Sequence, residues 1–499
     1  MKKIIAMILS VLLLLMTFSA SAFAESESAG APPFGGMPGE PPEGAAPGDP
    51  PDGFGGGHGG TPPGDPPDGM GTPPDGMGTP PGGFGGGGPG GNSSADINYV
   101  GAVEILSADT QKGRTYTSSS ADESALLIST SEEVTIEEPS VTKTGDSDGG
   151  DNCNFYGLNA AVLVKDGTVT TIRGGTVSSD ADGANGVFCY GGNGGRNGAE
   201  GDGTTLTIRD TVITTTGDGS GGIMTTGGGV TYAYDLDVTT SGRSSAAIRT
   251  DRGGGTVTVD GGSYTSNGLG SPAIYSTAEI TVSNATLTSN LSEGVCIEGL
   301  NSITLTDCDL TADNTQCNGN ATFLDSIMIY QSMSGDADSG TSHFTMTGGS
   351  LTSKNGHVFH VTNTNAVITL EGVTIVNEDE ENILLSVCAD GWSGGSNIAV
   401  LTAVGQELEG TILVGSDSEL TLELTEGSSF TGSFSGDITN ARGDAVSAGI
   451  GRVSVTLDAG STWTLTADTS VSEFNGDAAN IIANGHTLYV NGAAVTGTN

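Results

Sequence analysis

The chain has 499 residues, 84 of them Gly, and carries 15 Lys plus Arg against 59 Asp plus Glu, a net charge of −44. Such an excess of acid argues against nucleic acid and anionic lipid as partners, since both would be repelled over the whole surface. It also disfavours polyanionic substrates unless divalent cations bridge the charges.

Residues 1–24 read as a secretory leader. Lys2 and Lys3 precede an apolar run from Ile4 to Phe18, and Ala22-Phe23-Ala24 forms a small-x-small cleavage site before Glu25. No later apolar stretch reaches spanning length, so no membrane span is expected and the chain is expected outside the cell. Residues 25–94 form a linker of Pro, Gly and Asp, in which Pro66–Thr72 is repeated as Pro73–Thr79. A segment so poor in apolar side chains buries no core and is expected to be disordered. As a flexible spacer it would reach roughly 40 to 45 Å root-mean-square.

From residue 95 to 395 a repeat takes over. Pairs such as Val257 and Val259, Ile280 and Val282, or Ile303 and Leu305 flank a single Thr. The second apolar member recurs at Ile136, Ile172, Ile208, Ala233, Val259, Val282, Leu305, Met346 and Leu370. Five residues after each comes another apolar or aromatic side chain: Val141, Val177, Ile213, Val238, Tyr264, Leu287, Leu310, Leu351 and Ile375. Ten further on stands a third, at Val187, Ile223, Ile248, Ile274, Ile297, Val361 and Leu385. The anchors step by 36, 36, 25, 26, 23, 23, 41 and 24 residues, so coils of roughly 23 to 26 are lengthened by loops. Alternation puts two apolar side chains inward and one Thr outward on each first strand. Three short strands cannot close a core alone, but stacked coils bury a continuous apolar column. The expected fold is an all-β, right-handed parallel β-helix, a solenoid with three short strands per coil, its hand taken from the rule for parallel crossovers.

This pattern resembles the right-handed β-helix repeat proteins, the pectate-lyase-like and bacterial adhesin-like secreted class. From 396 to 499 the register changes: Leu424 to Phe430 and Leu457 to Trp463 share a spacing of six. Those residues look like the closing coils of β-helical surface proteins, whose aromatic side chains seal the open end of the stack. A cap is physically required there, because a bare end exposes unpaired strand edges.

The resemblance implies two kinds of chemistry against which the residues can be weighed. Pectate-lyase-type enzymes use an acidic Ca²⁺ cluster with a basic residue; polygalacturonase-type enzymes use three Asp with a Gly-His-Gly turn and Arg-x-Lys. No Arg-x-Lys occurs, and the repeat region lacks Gly-His-Gly. The expected function is therefore a non-enzymatic, adhesin-like surface or matrix protein that binds carbohydrate; the alternative is a polysaccharide lyase or glycoside hydrolase on the same scaffold. No catalytic residue is assigned. For ligand binding the outward residue after the third-strand anchor offers Arg249, Tyr275 and Glu298 in successive coils, an aromatic face beside a guanidinium and a carboxylate. Long loops at 190–203 and 332–342 would wall that strip. The partner expected is an extracellular glycan or a host or cell surface, and the chain is expected to be monomeric.

Three acidic loops space oxygen ligands two apart: Asp146, Asp148 and Asp151; Asp180 and Asp182; Asp336 and Asp338. Ca²⁺, which wants six to eight hard oxygens, is the one cofactor they suggest, although none completes an EF-hand pattern. Six cysteines lack C-x-x-C spacing and are expected as small buried hydrophobes, with Cys308 in the column of Gly175, Ala285 and Val373. The outward Thr column (Thr135, Thr171, Thr207, Thr258, Thr281, Thr304, Thr345 and Thr369, with Tyr232 as its exception) is read as structural. Arg442-Gly443-Asp444 spells an integrin-type tripeptide, to be discounted unless it stands on a loop tip.

Overall fold

A computed structural model describes residues 97–194 and 200–498; the expected leader and linker lie outside the described residues. The described residues are nearly all-β, 54% of them strand, wound as a right-handed parallel β-helix. No described helix is long and apolar enough to cross a membrane.

The first two columns of anchors stack as the spacing requires. Ile136, Ile172, Ile208, Ala233, Val259, Val282, Leu305, Met346 and Leu370 are successive partners in parallel strands. The second column, from Val141 to Ile375, is equally in register. Two strands, Gly229–Thr240 and Gly255–Ser266, run through the corner between columns, so first and second strands form one 22-stranded sheet. The third strands form a separate sheet of 15. The stack also starts one coil earlier than the apolar pattern indicates, because Gln111, a polar residue, holds the anchor position beneath Ile136.

The third column holds register from Val187 through Ile223 and Ile248 to Ile274, then departs from the ten-residue rule. Ile274 pairs with Val295, not Ile297. The connection before that strand is two residues shorter, and a shift of two preserves strand parity, so both residues still face inward. Ile297 continues instead through Ile329 to Val361, while Leu385 returns to the row of Val295 through Ile327 and Phe359.

The corner between first and second strands explains how the coil turns so sharply. Two residues past each anchor the backbone is left-handed, filled by Glu138, Gly174, Asp210, Asp235, Gly261, Asn284, Asp307, Gly348, Gly372, Gly405 and Glu426. Gly has no Cβ penalty there, and Asn and Asp tolerate the conformation better than other side chains. Most of these turns hand their amide to a carbonyl of the coil above, as when Asp307 N donates to Thr347 O at 2.9 Å. Where a second Gly follows, it cannot be enlarged: a Cβ on Gly349 would lie 2.0 Å from Cys308 O. The described cysteines are all free, and Cys308 is buried in the core.

Side-chain ladders secure the second corner. Asn290 Nδ2 donates to Asn267 Oδ1 at 2.8 Å, and Asn355 Nδ2 to Asp313 Oδ1 at 2.5 Å. Past Thr374–Asn377 the second strand disappears and the coils tighten. Leu424 pairs with Leu457 and Phe430 with Trp463, as the shared spacing of six requires. Phe430, Phe434 and Trp463 pack together in the core. A small sheet of Thr469–Val471, Leu488–Val490 and Ala493–Val495 follows them.

Replacing Asp307 tests the corner. Asp307→Val is expected to cost about 1–2 kcal/mol, because a β-branched residue is strained at positive φ. Asp307→Gly should stay within about 1 kcal/mol of wild type; urea midpoints of both variants check this.

Candidate functional site

The strip expected for ligand binding faces away from the coil's core, as strand parity requires, but it is not a surface. Arg249, Tyr275 and Glu298 are exposed by only 6%, 7% and 1%. Third strands read as buried on both faces, for example Val187–Tyr190 and Ile223–Thr226. Their outer face is roofed by the short helix Asp151–Tyr156, by residues 332–338, and by Phe323 and Trp392. The 332–342 loop thus lies over the strip instead of walling it; of 190–203, residues 195–199 lie outside the described residues.

Register also corrects the succession. Phe188, Met224, Arg249 and Tyr275 share one row, but Cys296 follows Tyr275, and Glu298 stands two residues farther, opposite Tyr330. Glu298 still meets Tyr275, whose hydroxyl donates to it at 2.6 Å; Tyr330 donates at 3.1 Å and Ser332 also bonds. Arg249 pairs with Asp251 at 2.6 Å and Arg252 with Asp336 at 2.5 Å, its guanidinium 4.3 Å over the Phe155 ring. Every group in the expected binding recipe is thus engaged within the molecule. Burial raises the pKa of Asp251 to about 7 against the opposing pull of Arg249. Burial likewise raises Glu298, against hydrogen bonds from Ser332 and Tyr275.

Farther along the same roofed row stands a second polar cluster, scattered in sequence. His357 Nδ1 and His360 Nδ1 both lie 2.7 Å from Ser386 Oγ. His360 Nε2 is 3.4 Å from Asp390 Oδ2, an ion-pair approach without the alignment of a hydrogen bond. Thr322 N and Oγ1 donate to the other Asp390 oxygen. Although burial pushes the Asp390 pKa upward, His360 and these donors outweigh it and hold the carboxyl below its ordinary value. Burial, with His360 nearby, pushes His357 down to about 3. A hydroxyl, an imidazole and a carboxylate in sequence are the parts of a hydrolytic triad. Ser386 and His360 are fully buried, however, and the Phe323 ring lies 4.7 Å from that of His360, so an acyl group does not reach the hydroxyl in this conformation.

Three side chains of the acidic loops, those of Asp146, Asp180 and Asp182, are engaged in building corners. Asp146 Oδ1 accepts from Asp182 N, Asp182 Oδ1 from Asp218 N, and Asp218 Oδ1 from Arg243 N, one coil above another. Thr216 bonds to Asp180 at 2.5 Å, Asp336 holds Arg252, Asp151 begins the roof helix, and Asp148 and Asp338 lie in neighbouring loop positions. Among the described residues no three His, Cys, Asp or Glu side chains are grouped so as to hold a metal ion. Arg442-Gly443-Asp444 does stand on a loop tip, between Asp437–Thr439 and Ala445–Ala448. Its arginine is tethered, donating to Ala321 O at 3.1 Å, and its aspartate lies 3.5 Å from Asn440 Nδ2.

One column escapes the search for inward anchors and outward Thr: the residue following each first-strand anchor. It reads Glu137, Arg173, Arg209, Tyr234 and Asp260 in consecutive, paired coils. Here the aromatic, guanidinium and carboxylate recipe occurs on a face without a roof, with Arg173 exposed. Counting one position past the anchors would have found it.

No family of known proteins, no curated protein and no solved structure matches this chain.

The buried acids set a pH dependence. Neither carboxylate oxygen of Asp325 meets a hydrogen-bond donor among the described residues, and burial, reinforced by Glu293, drives its pKa well up. Burial raises Glu293 too. A raised carboxyl binds its proton more tightly when folded, so its contribution is complete below the unfolded pKa and is lost as pH rises through the folded one. Asp390 has the opposite sign and is lost only in stronger acid. The melting temperature should therefore fall between about pH 4.5 and about pH 8. Asp325→Asn should raise it at the upper pH and shrink the difference, which scanning calorimetry at both pH values checks.

Proposed function

We propose that the chain is a secreted, non-enzymatic β-helical surface or matrix protein of the adhesin-like kind, binding carbohydrate on an open strand face. One observation carries this reading. The third-strand face, where a cleft enzyme would place its acids, is closed by the chain's own roof, and its ionisable groups are paired internally. The first-strand face, by contrast, carries a row of outward Thr and exposes Val169, Arg173 and Tyr232, groups suited to laying down an extended ligand. The resemblance to secreted adhesin-like β-helices and the leader-like first 24 residues support the extracellular setting. The competing reading, an esterase that removes acyl groups from polysaccharide, rests on Ser386, His360 and Asp390, and would require Phe323 to swing away.

Purified protein incubated with neutral and acidic polysaccharides, with and without Ca²⁺, is expected to release no product while retaining some member of a glycan array. Sustained release of acetate from an acetylated polysaccharide, abolished by Ser386→Ala, would replace this reading with the esterase.

A further inference from the structure

We propose that the open face of the first strands around Arg173 and Arg209 binds a sugar carrying a single carboxylate, held by the two guanidiniums and stacked on Tyr232. The assignment rests on the carbohydrate-binding reading above and names its site and ligand class.

The two arginines are direct partners in adjacent coils, Arg173 opposite Arg209. Parallel neighbours stand about 4.8 Å apart, so two like charges face outward side by side. Five other cations of this acidic body have carboxylate partners: Lys112 with Glu137, Lys165 with Asp166, Arg249 with Asp251, Arg252 with Asp336 and Lys354 with Asp313; Lys143, Arg243 and Arg442 bond instead to carbonyl or amide oxygens. Neither Arg173 nor Arg209 has a carboxylate at ion-pair distance among the described residues. The Arg209 guanidinium lies 4.7 Å from the centre of the Tyr234 ring, its Nε buried and only its terminal nitrogens left to meet a ligand. The two terminal nitrogens of a planar guanidinium beside a second guanidinium form a receptor for one carboxylate.

The neighbours define the rest of the ligand. In the adjoining row Tyr232 stands opposite Thr207 and Thr258, its side chain among the exposed large apolar ones at 38%. Val169, four residues before Arg173 on the same outward face, is 48% exposed. An exposed aromatic ring on a strand surface stacks a pyranose, and the Thr hydroxyls alongside supply hydrogen-bond partners for its OH groups. Charge then sets the limit on length. The positive stretch covers two coils and ends at Glu137 on one side and, past Tyr234, at Asp260 on the other. A polyanion running along the rod would meet those carboxylates and the net charge of −44. A glycan with one terminal acidic sugar satisfies the pair of arginines without that repulsion.

The test is titration calorimetry of the full chain with a sialic-acid-terminated trisaccharide, the matching neutral disaccharide and polygalacturonate. The acidic trisaccharide should bind, and more tightly than either other probe, with affinity falling as salt is added. Arg173→Gln and Arg209→Gln should each weaken it about tenfold, and Tyr232→Ala about three- to tenfold, with melting temperatures unchanged. Arg209→Lys, which keeps the charge but loses the fork, should fall between Arg209→Gln and wild type. Binding of the trisaccharide that both Gln variants retain would overturn the site, and preference for the neutral sugar would overturn the ligand class. Either result leaves the general carbohydrate-binding reading standing, whereas a glycan array with no retained member removes that reading and this one together.

Discussion

In-register hydrogen bonding from coil to coil is the constraint on which everything else rests. Because each strand pairs in parallel with its copy above and below, identical positions are forced into vertical rows. A row then has to be chemically consistent along its length: apolar inside, left-handed at the corner, Thr on the open face. Left-handed Asp210, Asp235, Asn284 and Asp307 recur two residues past their anchors for this reason, alternating with Gly. The same stacking turns isolated polar side chains into ladders, so that Asp146, Asp182 and Asp218 each hold the amide of the coil above. Asp146 and Asp182, spaced in sequence like cation ligands, thereby take part in the scaffold.

The roof changes the electrostatics of one face entirely. An outward third strand would ordinarily be wet, and Arg249, Tyr275 and Glu298 would then have been free to meet a ligand. Covered by the helix at 151–156 and the loop at 332–338, they must find partners inside, since a buried charge left alone is costly. Arg249 finds Asp251 and Arg252 finds Asp336. The acids without a cation, Glu298 and Asp325, instead have raised pKa values through burial, favouring the protonated form. The open face of the first strands keeps the opposite regime, where Arg173 remains solvated beside Arg209.

Much of this architecture was legible because the repeat is a rule about spacing. The positions of Ile136 through Leu370, and of Val141 through Ile375, follow from counting alone. Gln111 was hidden because a polar residue fills an anchor site, and Val295 because Val295 and Ile297 share parity, leaving a shift of two unresolved. The roof was illegible for a deeper reason. Periodicity reports which way a side chain leaves its own strand, but not what a distant loop lays on top of it. That Phe155 would meet Arg252, or Phe323 the ring of His360, is information carried by no local pattern. The Ser386, His360 and Asp390 grouping was beyond reach for the same reason, its members being joined only by the stacking of two coils and the path of one loop.

Those roof contacts also alter how the rod holds together. A simple solenoid is a chain of nearest-neighbour interactions, and coils can be lost from its ends one after another. Here Arg249 reaches back to Asn154, Arg252 forward to Asp336, and Thr226 to the carbonyl of Phe155, across 95, 84 and 71 residues of chain. Each tie passes over intervening coils and binds non-adjacent ones directly. The central body is thereby stapled lengthwise, so that opening any coil beneath the roof requires releasing several at once. Melting of the middle becomes a single cooperative event, and piecemeal fraying is confined to the ends that the roof does not cover.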